Sequence, residues 1–95
     1  MTRIPIAHLH EQGQDIIIVP LDRSFSHKSR AEQNRVVMTL QAAASSANLA
    51  GKVVPVWDAG SGRMAFIAPE QWFPFFRGLS LPLVARMLNR ELIFS

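Results

Sequence analysis

The run Ile16-Ile-Ile-Val19, closed by Pro20, limits this chain's folds more than any other segment. Side chains branched at Cβ lose rotamer freedom in a helix and suit a pleated surface. Pro20 removes the donor that either a helix or a strand needs to continue. With Asp15 ahead of it, the run is therefore the clearest strand of the chain, Asp15–Val19. Upstream, Ile4–Leu9 reads as a second strand, with Pro5 suggesting an edge position. Between them, Glu11-Gln-Gly-Gln14 is a turn in which Gly13 can take positive φ. A two-residue turn at Gln12-Gly13 would set His10 opposite Asp15. The first twenty residues thus predict a β-hairpin.

A connection over Leu21–His27 leads to a helix. Ser26 and Ser29 are both candidate N-caps, and Ser29-Arg-Ala-Glu32 has capping-box form. Val36, Val37, Leu40, Ala43, Ala44 and Ala47 fall in one sector about 120° wide, so the helix is amphipathic to about Asn48. Gly51 is its expected C′ residue. Half of the stripe is alanine, which permits close packing. Two more strands follow, Val53–Trp57 and Met64–Ala68, joined by the loop Asp58-Ala-Gly-Ser-Gly-Arg63. Pro69 begins a short helix that Pro74 and Gly78 limit to about two turns. Ser80 caps a last helix over 81–92, whose main stripe is Leu81, Val84, Ala85, Leu88 and Leu92.

The expected fold is α+β, ordered ββαββα(α). An antiparallel sheet of about four strands, from two hairpins, is covered by the long Ala-rich helix and the C-terminal helix. With 95 residues, 48% of them hydrophobic and 18% charged, the chain supports one core and one domain, residues 1–95. It contains no cysteine, which excludes disulfides and thiolate metal sites. The N-terminal segment lacks the apolar stretch of an export signal, and the Ile16–Val19 run is too short to span a bilayer. The expected location is the cytoplasm, with no membrane partner.

Three groups of side chains invite functional readings. His8 and His10 point to one side of a strand, near Asp15, a set that could bind a divalent ion in a metal-dependent enzyme. Imidazoles are also ordinary on a solvated hairpin, and no metal ligand is assigned. Arg23, Lys28, Arg30 and Arg35 form the strongest basic cluster and could meet nucleic-acid phosphates. Helical periodicity sends Arg30 about 160° away from Lys28 and Arg35, so the cluster is not a continuous stripe. Third, five of the eight aromatic residues lie between Phe66 and Phe76. In the last helix Leu83, Met87 and Phe94 make a second apolar stripe, about 220° from Leu81.

A helix apolar on two sides is either sandwiched within the chain or covered by a partner. The residues Trp72, Phe73, Phe75, Phe76, Leu83, Met87 and Phe94 therefore define an expected interaction surface. The function expected first is a protein-interaction or structural module that forms a homodimer through that surface. Nucleic-acid association is the alternative, and an enzyme centred on the hairpin comes third. No serine elbow, P-loop or carboxylate pair is present, so no catalytic residue and no cofactor is assigned.

Overall fold

The computed structural model describes residues 2–11 and 13–94; the expected turn at Gln12-Gly13 falls partly outside them. Strands β1 (Thr2–Glu11) and β2 (Gln14–Pro20) pair antiparallel in the expected register, with His10 opposite Asp15. A single 3₁₀ turn over Arg23–His27 buries Phe25 edge-on against Trp57, with ring centroids 4.7 Å apart. Helix α1 (Arg30–Ser46) then begins at Ser29. The Ser29 hydroxyl accepts the Glu32 N–H at 3.2 Å, and Glu32 reaches back to complete the capping box. Ser26 instead donates to the Arg23 carbonyl.

The helix ends through Asn48, not Gly51. Asn48 takes φ 60, and the next amide, Leu49 N–H, returns to the Ala44 carbonyl. Gly51 has a different duty. At φ 122 it lies so close to β2 that a Cβ there would sit 2.7 Å from the Asp15 carbonyl oxygen.

Strand β3 (Lys52–Asp58) returns beside β2, and the pairing is parallel, Ile16↔Lys52 through Pro20↔Val56. The two hairpins thus meet through a β2-α1-β3 crossover, and the sheet is mixed, not antiparallel. Strand β4 (Met64–Phe66) is shorter than expected. A 3₁₀ turn over Glu70–Trp72 runs into α2 (Phe73–Arg77), and Ser80 caps α3 (Leu81–Met87). The expected helix over 81–92 stops at Met87. Leu88 is extended, and Arg90–Phe94 forms β5, antiparallel to β1. Asn89 makes the junction. Its backbone N–H donates to the Ile6 carbonyl, its side-chain carbonyl accepts the His8 N–H at 2.8 Å, and its amide donates to the His8 carbonyl at 3.0 Å. The sheet therefore has five strands, in the order β4-β3-β2-β1-β5.

Of the three strand prolines, Pro20 ends β2, and neither Pro5 nor Pro55 lies on an edge strand. Ile6 and His8 turn their backbone groups toward Asn89, so alternation turns those of Pro5 toward β2. There the β1–β2 ladder has already ended at Ala7↔Ile18. Pro55 is placed alike: its carbonyl accepts from Ile67, one position past the last β3–β4 pair, Val56↔Phe66. Each missing N–H falls just beyond a ladder, where it leaves no gap.

Both faces of the sheet are buried. On one, Ile6, Ile17, Val19, Val53 and Leu92 pack under Leu40 and Ala44 of α1. On the other, Ala7, Ile16, Ile18, Val54 and Val56 pack under Phe76 of α2 and Val84 of α3. No helix among the described residues is long and apolar enough to cross a membrane.

Candidate functional site

The histidines of β1 are each engaged by a neighbour. His8 Nε2 lies 2.8 Å from the Ala50 carbonyl oxygen and His10 Nδ1 lies 2.9 Å from Asp15 Oδ1. The carbonyl requires a proton on His8 Nε2, which leaves that nitrogen without a lone pair for a metal. Among the described residues no three His, Asp or Glu side chains converge on one point. The arrangement fastens the hairpin to the segment after α1 and supplies no ligand set.

The basic residues separate. Arg23 reaches Asp58 at 3.3 Å, and the Asp58 carboxylate also accepts the Gly60 N–H at 2.8 Å. This ties the 3₁₀ turn to the β3–β4 loop and neutralises Arg23. Beside it the Ser24 hydroxyl donates to Asp22 at 2.8 Å, which, with backbone N–H groups, holds the Asp22 carboxyl below its ordinary range. Arg30 is exposed on α1. Lys28 and Arg35 come together instead, at a cleft of about 360 Å³ between α1 and the sheet. The arrangement is two cations at an apolar opening, not a phosphate-tracking stripe.

The aromatic segment also divides. Phe76 is fully buried, stacked on Phe66 with centroids 5.2 Å apart, and belongs to the core. Phe73 is half-buried, with its edge to Phe66 and the Arg77 guanidinium 5.6 Å from its ring centre. Met87 is half-buried against the same core, while Leu83 is 40% exposed. The Phe94 side chain lies outside the described residues. Because Phe94 belongs to β5, the second helical stripe does not exist.

Trp72 and Phe75 remain. Both are half-buried, and with Pro74 and Gln71 they line a cleft of about 560 Å³ whose other side is Glu11, Gln14 and Ile16 of the hairpin. Phe75 meets Phe76 in a T-shaped contact at 5.2 Å, and Trp72 packs against the same core. The polar groups come from exposed positions, and no described residue forms an ion pair with Glu11. The sequence pointed to the aromatics but not to Glu11, Gln14 and Gln71. The only signal for Glu11 and Gln14 was position, since residues at a hairpin end meet whatever packs over that end of the sheet, and the only signal for Gln71 was its place beside Trp72.

No family model, no curated protein and no solved structure matches the chain.

Proposed function

We propose that this protein is a protein-interaction module whose recognition surface is the Trp72–Phe75 cleft. The observation that carries the reading is its composition. Two anchored aromatic faces, a proline and the Gln71 amide stand opposite the Glu11 carboxylate and the Gln14 amide, in a volume suited to a few side chains. Aromatic anchors with a polar rim are the usual anatomy of a binding patch. The partner that fits is an extended peptide segment. An apolar side chain would sit between Trp72 and Phe75, and Gln14 and Gln71 would bond its backbone. A neighbouring Lys or Arg would meet Glu11. The concave shape favours a protruding segment over a flat two-fold contact, and in a homodimer that segment would come from a second copy.

Selection of random displayed peptides against the protein tests this. The expected enrichment is an apolar or aromatic residue beside Lys or Arg, lost when Glu11 and Gln71, both exposed, are changed to Lys. Failure to enrich, or enrichment indifferent to that variant, sinks the proposal. Light scattering over a dilution series identifies a second copy as the partner if the mass is doubled and the same variant halves it.

A further inference from the structure

The cleft beside α1 differs in kind from the aromatic one. Its interior is Ile4 of β1, Leu21 after β2, and Val36 and Leu40 of α1, all packed on the core beneath the helix. Lys28, Glu32, Arg35 and Thr39 complete its lining. Thr39 gives its hydroxyl proton to the Arg35 carbonyl at 3.0 Å, so it has no donor to offer. Glu32 is held at the helix cap, where Oε1 lies 3.2 Å from the Ser29 hydroxyl. Neither Lys28 nor Arg35 forms an ion pair among the described residues. The free hydrogen-bond donors among the lining side chains are therefore those of Lys28 and Arg35, and with Glu32 the charged lining carries a net single positive charge.

We propose that this cleft is a binding site for a small alkyl monocarboxylate, with its tail among Ile4, Leu21, Val36 and Leu40 and its carboxylate between Lys28 and Arg35. The charge balance selects a single anion. A phosphate monoester would bring a second negative charge next to Glu32, with no further cation to meet it. The apolar interior selects a hydrocarbon tail, since a fully hydrated anion would leave that surface uncovered. The volume, about 360 Å³, is at the low end of small-molecule sites, so the tail is short. Nucleic acid, which needs many phosphates met along a track, finds only these two cations here.

Octanoate is the probe, titrated into the isotope-labelled full chain while amide resonances are followed. Octanoate is expected to shift Ile4, Leu21, Val36, Thr39 and Leu40, with octanol and acetate both binding more weakly. Changing Lys28 and Arg35 together to Gln, at exposed positions that leave the fold intact, should weaken octanoate binding roughly threefold to tenfold, as removal of partly exposed charge-assisted contacts does. Octanol binding as tightly as octanoate, acetate or inorganic phosphate matching octanoate, or an unchanged affinity in the double variant would each overturn the proposal. So would shifts confined to the Trp72–Phe75 cleft.

Discussion

One face of the sheet is covered by a single helix of 17 residues, the other by two helices of five and seven residues. The long helix is rich in alanine, carries a complete capping box and buries only Leu40 and Ala44 fully. Its alanines and its cap favour the helix locally, in addition to packing. Helices of five and seven residues are far too short to persist alone. They exist because Phe76 and Val84 are anchored in the sheet and because Phe66, Trp72 and Phe75 crowd around them. One face is thus held by a helix that brings its own order, and the other by side chains that impose order on short helices. The proposed peptide cleft lies on the imposed side, the proposed carboxylate cleft on the self-ordered side.

The sharpest way to break this contrast is to truncate one anchor on each face. Phe76→Ala is expected to cost about 3–5 kcal/mol, and Leu40→Ala about 2–5 kcal/mol, in denaturant unfolding. The distinguishing result is local. Loss of Phe76 should also strip hydrogen-exchange protection from 73–79, whereas loss of Leu40 should leave α1 protected. Equal local loss in both variants would refute the contrast, and a cost under about 0.5 kcal/mol would place that side chain outside the core.

A middle-sized effect is expected at Gln41, which joins α1 to β3. Its amide donates to the Gly51 carbonyl at 3.0 Å, and its carbonyl accepts the Val53 N–H at 2.8 Å. Gln41→Ala leaves both part-buried backbone groups unpaired and should cost about 1–3 kcal/mol. A near-neutral result would mean that water replaces the amide and that packing alone seats the helix.

The smallest effect is electrostatic. Ser24→Ala removes the main group that lowers the Asp22 pKa, and a carboxyl titration should show that pKa rising toward its ordinary value. Because the folded pKa is lowered, the stabilisation is present above the unfolded pKa and lost as pH falls through the folded one. The variant should therefore show a weaker decline in stability on acidification. An unmoved Asp22 would assign the lowering to backbone N–H groups instead.

Local signals in the sequence were legible: the first hairpin with His10 opposite Asp15, the Ser29–Glu32 cap, the Gly-rich loop before β4 and the Ser80 cap. Pairings between distant segments were not. Ile16–Val19 and Val53–Trp57 are continuous apolar runs, not alternating ones, and such runs mark strands buried on both faces, as parallel pairs are. That cue pointed to the β2–β3 crossover, but the hairpin signals drew both strands into an antiparallel scheme. At the C-terminal segment, Leu81, Val84, Leu88 and Leu92 keep helical spacing by coincidence. The contrary cue was Leu92-Ile-Phe94 after Asn89, apolar residues suited to a strand behind a residue that readily ends a helix. Of the apolar surplus expected at an interface, Phe76 is buried in the second core layer and Trp72, Phe75 and Met87 pack partly exposed against it, because β2 and β3 are covered on both faces.

Asn89 sets the register of the last strand. β1 can pair with β2 as soon as a short turn closes, but its other neighbour is β5, where Arg3 meets Glu91 across 88 positions of sequence. Loop closure over that span carries a large entropic cost. The Asn89 side chain occupies both backbone groups of His8, immediately before the first β1–β5 pair, Ile6↔Arg90, and so holds β5 in that register. The ladder then continues without a break to Thr2↔Phe94. Register at this edge is thus decided by a side chain imitating backbone, at the point where the chain leaves its last helix.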